Sequence, residues 1–119
     1  MGSKSFKELV VWNKSIILAK EVYNLTKKLP KEEIYGLVSQ MRRCAVSIPS
    51  NIAEGSKRRT RKDFVQFLRI ASGSAAELET QIVIVKDLYP EIISSYTETL
   101  LVEIQKMLTS LIRKLEESG

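Results

Sequence analysis

Residues 61–88 read RKDFVQFLRIASGSAAELETQIVIVKDL. Phe64, Leu68, Ala71, Ala75, Leu78, Ile82 and Val85 follow one another at alternating steps of four and three. That spacing lines side chains along one face of an α-helix. Thr60 and Asp63 resemble a capping box, with Asp in place of the usual Glu or Gln. Pro90 stops the helix just beyond Leu88. An amphipathic helix of this length forms one wall of a core and requires other walls to face it.

The rest of the chain supplies them. Ser95 and Glu98 form a Ser-x-x-Glu box, and a helix follows to about Glu116 with Leu100, Leu101, Ile104, Leu108, Leu111, Ile112 and Leu115 on one face. Upstream, Ile34, Leu37, Met41, Cys44, Ala45, Ile48 and Ile52 keep helical spacing from about Glu32 to Glu54, with Gly55 as a C′ residue. The pattern passes through Pro49 in phase, which predicts a helix kinked there; the other reading is two shorter helices broken at Ile48–Pro49. Ser47 and Ser50 stand ready to bond the backbone group that the proline frees. A further helix spans Phe6–Lys28 and ends before Pro30. It carries two apolar stripes, Leu9/Trp12/Ile16/Ala19/Tyr23 and Val11/Leu18/Val22/Leu25, more than one bundle core requires. Four helices joined by short connections predict an all-α fold, an antiparallel up-down-up-down four-helix bundle, as one domain over residues 1–119.

Composition narrows the function. The chain has 119 residues, 44% of them hydrophobic and 28% charged, with five Gly and three Pro, which excludes disordered and collagen-like classes. One cysteine rules out an internal disulfide and suits a reducing compartment. No apolar run approaches the ~20 residues of a membrane span. The N-terminus lacks the shape of a signal peptide, and Phe6 spoils a myristoylation motif at Met1-Gly2. These features predict a cytoplasmic protein. Histidine is absent altogether, so no Ser-His-Asp or Cys-His site can form, and the commonest metal ligand and general base are missing. No catalytic residue, metal or cofactor is expected. Of the carboxylates, Glu54 is the best candidate for an acid–base role, whereas Glu77 and Glu79 point to different faces of their helix.

The net charge is +5, and it is uneven. Residues 1–69 hold 15 basic and 6 acidic side chains, and residues 70–119 hold 4 and 8. Lys57, Arg58, Arg59, Arg61 and Lys62 cluster at a loop and helix start, with Arg69 two turns on and Arg42 and Arg43 on the preceding helix. Cations beside a helix N-terminus suit phosphate and predict sequence-tolerant nucleic-acid binding. The plainer reading is a solvated, self-repelling loop. No aromatic residue interrupts the cluster, so base stacking has no platform in the local sequence.

Away from the core stripe of the third helix, Ile70, Gly73, Glu77, Thr80 and Ile84 lie within about 80° of one another. Glycine inside a helix costs about 1 kcal/mol relative to alanine. It is tolerated where another backbone comes close, either a second copy of the chain or a neighbour in the same bundle. This seam, together with Val11, Leu18, Val22 and Leu25, is the expected oligomer interface. Gln40, Arg43, Ser47, Asn51 and Glu54 form a polar face on the second helix and read as a hydrogen-bond network. Cys44 falls on a core stripe and reads as a buried structural thiol, and Trp12 and Tyr23 as core anchors.

Residues 33–55, EIYGLVSQMRRCAVSIPSNIAEG, and 63–81, DFVQFLRIASGSAAELETQ, resemble the two signature stretches of the bacterial 23S rRNA intervening-sequence proteins. Val11–Ser15 and Lys106–Leu108 fit the flanking helices, and Cys44 stands where alanine is more usual. The resemblance covers essentially the whole chain and implies a four-helix bundle encoded within, or related to genes within, 23S rRNA genes. It extends to the accessory proteins of diversity-generating retroelements, and so implies a barrel-shaped homopentamer with basic surfaces that bind nucleic acid and reverse transcriptase. The resulting expectation is a non-enzymatic homo-oligomer that binds nucleic acid, RNA in preference to DNA, with no membrane or small-molecule partner. The competing expectation is a protein-interaction scaffold with no nucleic-acid role.

Overall fold

Four apolar helical faces are hidden together only when all of them turn inward. The structure is a computed structural model that describes residues 5–118, so the reading of Met1-Gly2 lies outside the described residues. It consists of α1 (Val10–Thr26), α2 (Leu37–Ser56), α3 (Arg61–Leu88) and α4 (Ser95–Ser118), with short 3-10 turns at Phe6–Glu8 and Lys31–Glu33. Each helix packs on two others in the ring α1–α2–α3–α4, and no described pair packs across the diagonal. Ser47 meets Ser74 and Gly55 meets Phe64, which makes α2 and α3 antiparallel. Arg69 pairs with Glu116 and Lys86 with Glu98, which does the same for α3 and α4. This is the expected up-down-up-down bundle. Its long dimension of 46 Å is close to the ~42 Å that the 28 residues of α3 span at 1.5 Å per residue.

The α3 stripe is buried throughout, from Phe64 to Val85, and the α4 face from Leu100 to Leu115 is buried except for half-buried Leu111. Thr60 caps α3 as expected, its Oγ1 accepting the Asp63 amide at 3.1 Å. At α4 the hydroxyl that reaches Glu98 belongs to Ser94, one residue earlier than expected, at 2.7 Å.

Several local expectations change. One stripe of α1 enters the core and most of the other lines its margin. Val11, Leu18, Val22 and Leu25, expected on a surface for other copies, are buried in the protomer's own core. Leu9, Trp12 and Ala19 pack at its margin. One short helix sits opposite longer neighbours, so a wide apolar arc is needed to seal its side. Tyr23 is exposed beneath the Arg42 guanidinium, 4.4 Å from its ring centroid, rather than in the core. Helix α1 starts later than expected because Phe6–Glu8 forms a separate 3-10 turn, which Asn13 ties down by donating to the Lys7 and Leu9 carbonyls.

Helix α2 starts at Leu37, because residues 31–36 form a 3-10 turn and bend ending at Gly36. Ile34 is therefore left exposed. The helix continues through buried Pro49 without a break, which removes the two-helix alternative. The Ser47 hydroxyl bonds Ser74 and the Asn51 amide, not a freed carbonyl. Gly55 does not end the helix but lies inside it, where an added Cβ would come within 2.7 Å of Phe67 Cβ and 2.9 Å of Phe64 Cδ1. It is the residue that brings α2 onto α3.

Candidate nucleic-acid interface

The end of α2, the 57–60 loop and the start of α3 place Lys57, Arg58, Arg59, Arg61 and Lys62 at one end of the bundle, all exposed. Local chemistry explains their separate settings. Lys57 Nζ sits 5.9 Å from the Phe6 ring centroid. The Arg58 guanidinium lies 4.7 Å from the Phe67 ring centroid and pairs with Glu54 at 2.8 Å. Two aromatic rings, one remote in sequence (Phe6) and one two turns into α3 (Phe67), thus lie against the loop's cations. Arg59 and Lys62 form no ion pair among the described residues. Arg69 is exposed on α3 and pairs with Glu116 of α4 at 2.7 Å.

Arg42 and Arg43 do not join this cluster. They precede Lys57 by about 20 Å along the α2 axis. Arg42 is half-buried and donates through Nε to Thr26 Oγ1 at 2.9 Å, clamping α2 to α1. Arg43 is exposed nearer the other end of the bundle.

The antiparallel packing adds cations that local sequence did not reveal. Lys106, Arg113 and Lys114 of α4 are exposed in the half of that helix that runs beside the start of α3 and of α1. Arg113 lines a hollow of about 500 Å³ with Arg69, Ser72, Thr109 and Glu116. An adjoining hollow of about 580 Å³ is lined by Arg61, Lys62, Gln66, Arg69 and Glu116. The two form a groove between α3 and α4. The available signal was the fold itself, since an antiparallel α3–α4 pair puts the last turns of one beside the first turns of the other.

Electrostatically this end sets both helix termini against their dipoles. A helix N-terminus carries a partial positive charge and favours anions, yet α3 opens with Arg61 and Lys62, opposed in that turn only by Asp63. The C-terminus of α4 favours cations, yet its last turn has acids and no base. Arg69 and Glu116 offset part of both mismatches across the groove.

The other singled-out residues have different settings. Ile70, Gly73, Glu77, Thr80 and Ile84 lie exposed on the outer side of α3, with Ile70 52% and Ile84 40% accessible. An added Cβ at Gly73 would meet nothing within 4 Å, so this glycine makes room for no neighbour inside the protomer. On the polar face of α2, Ser47 and Asn51 are bonded together, Glu54 pairs with Arg58, and Gln40 and Arg43 are solvent-facing. Cys44 is buried, and burial pushes its thiol above the usual range, which keeps it protonated and unreactive. No group of three or more His, Cys, Asp or Glu among the described residues is arranged to hold a metal. No described helix is long and apolar enough to cross a membrane.

No curated protein matches the chain. A solved structure of a protein of unknown function from the S23 ribosomal protein family of Bacteroides thetaiotaomicron is similar, with 28% identity and a TM-score of 0.73. The match covers 87% of this chain and 98% of that one. The family model for the 23S rRNA-intervening sequence protein matches residues 7–110. With that match running through all four helices, the chain belongs to the 23S rRNA-intervening sequence protein family.

Proposed function

We propose that this protein is a non-catalytic, self-associating helical bundle of the cytoplasm that binds RNA through its phosphate backbone. The observation that carries the reading is the gathering of exposed cations from the 57–60 loop and two helices at one end of the bundle: Lys57, Arg58, Arg59, Arg61, Lys62 and Arg69 with Arg113 and Lys114. Their sign at the opening of α3 is unfavourable until an anion arrives. The family's name supports RNA as that anion. Phosphate-directed cations position a partner and do not read its sequence. Arg42 serves the bundle, and Arg43 is peripheral to the binding surface.

Self-association in this reading uses the outer face of α3, where Ile70 and Ile84 flank Gly73, Glu77 and Thr80. The copy number is the five implied by the family resemblance. Clustering copies multiplies a modest charge per protomer into a multivalent grip.

The test is salt-dependent binding to a labelled RNA hairpin. Replacing Lys57, Arg58, Arg59, Arg61 and Lys62 with alanine lowers affinity and flattens the plot of log K against log salt, by about 0.7–0.9 for each phosphate that is no longer neutralised. An unchanged slope would overturn the assignment. A scaffold role would show instead as a protein partner retained after nuclease treatment, with no RNA retained before it.

A further inference from the structure

Of the three arginines that line the α3–α4 groove, Arg61 and Arg69 are already engaged. Arg69 Nη2 donates to Glu116 Oε2 at 2.7 Å, and Arg61 Nη1 donates to the Ser118 carbonyl oxygen at 2.7 Å. Both acceptors belong to the last turn of α4. A carboxylate and a free helix-end carbonyl thus occupy the donors that a phosphate would use. Glu116 lies where the helix dipole disfavours it; Arg113 one turn back and the cations across the groove are what favour an acid there. It also lines both hollows.

We infer that the last turn of α4 is a built-in surrogate for the ligand's phosphate. The α3–α4 groove is the phosphate seat, and an RNA phosphodiester enters by displacing Glu116 from Arg69 and the Ser118 carbonyl from Arg61. The inference rests on the RNA-binding reading above and adds the seat and its internal competitor. Displacement is feasible because the pair is exposed on both sides, 53% and 52%, and exposed ion pairs are weak. The freed arginines then gain a ligand that accepts two N–H bonds in a fork. Arg113 joins the seat from α4, with the Ser72 and Thr109 hydroxyls beside it.

The experiment compares hairpin affinities of the wild type, Glu116→Gln, Glu117→Gln, Arg69→Ala and the Arg69→Ala/Glu116→Gln double variant at one salt concentration. Glu117 is the matched control, since it is exposed on the same turn and pairs with no cation among the described residues. Glu116→Gln is expected to tighten binding about two- to five-fold beyond Glu117→Gln, the worth of an exposed ion pair. In the Arg69→Ala background the extra gain disappears. Equal gains from the two glutamines in both backgrounds would overturn the surrogate and leave general RNA binding standing. A hairpin bound by none of the proteins at low salt would overturn the RNA reading itself and the seat with it.

Discussion

At the level of single residues, the two helical glycines that resemble each other in sequence have opposite settings. Gly55 touches α3 so closely that a Cβ would collide with Phe67 Cβ at 2.7 Å, an atom fixed to the backbone and unable to swing away. Gly55→Ala therefore forces α2 and α3 apart and is expected to destabilise by about 1–3 kcal/mol, seen as a lower urea midpoint. Gly73 faces open space, so Gly73→Ala removes a helix-interior glycine at no steric cost within the protomer. It is expected to raise protomer stability by up to about 1 kcal/mol. Unfolding curves of the two variants moving in the same direction would refute this contrast. The sequence placed Gly55 at a helix end and Gly73 at a close approach, and within the protomer the structure reverses the two because the difference lies in which helix stands opposite.

Among the elements, the connections carry the less expected chemistry. The turn before α2 and the end of α3 are joined by one bond, Tyr89 Oη donating to Glu33 Oε2 at 2.6 Å. Glu33 also accepts the Leu37 amide through Oε1 at 3.4 Å, at the start of α2. Hydrogen bonding to the Glu33 carboxylate, helped by burial and by nearby acids, pushes the Tyr89 hydroxyl up to about 12. A folded value above the ordinary 10 means the bond contributes its full stability below pH 10 and loses it as pH rises through about 12. In an ultraviolet titration one of the four tyrosines is expected to ionise last, and Glu33→Gln should return it toward the ordinary range. A titration unchanged by that substitution would refute the clasp. The start of α2 was hidden from the sequence for a related reason. Ile34 continues the apolar period, yet the turn ending at Gly36 takes it off the helix and leaves it in solvent.

For the whole molecule, Val11, Leu18, Val22 and Leu25 of α1 are buried within the protomer, whereas Ile70 and Ile84 stay exposed on the outer face of α3. If copies associate through that face, Ile70→Asp with Ile84→Asp is expected to shift sedimentation at micromolar concentration toward a 13.5 kDa particle. Both side chains are exposed in the protomer, so the far-UV spectrum should hold. A wild type that already sediments as a single chain would refute self-association. The same scale governs charge. The loop cations from Lys57 to Lys62 are adjacent in the chain and legible there, but Arg113 and Lys114 sit some fifty residues further on and amid acids. Their membership of the basic end depends on α4 running back along α3.

Apolar spacing along the chain was enough to establish four helices, the boundaries of α3, the buried stripes of α3 and α4 and the antiparallel order, because helical period and short connections leave one compact arrangement for such faces. Period reports which residues share a side, not how wide a neighbour covers that side. Packing therefore settled that Val11, Leu18, Val22 and Leu25 of α1 are used internally and that Gly55, not Gly73, is the point of close approach within the protomer. Packing also joined Arg61 and Arg69 to the end of α4, since charges far apart in the chain become neighbours only where helices meet.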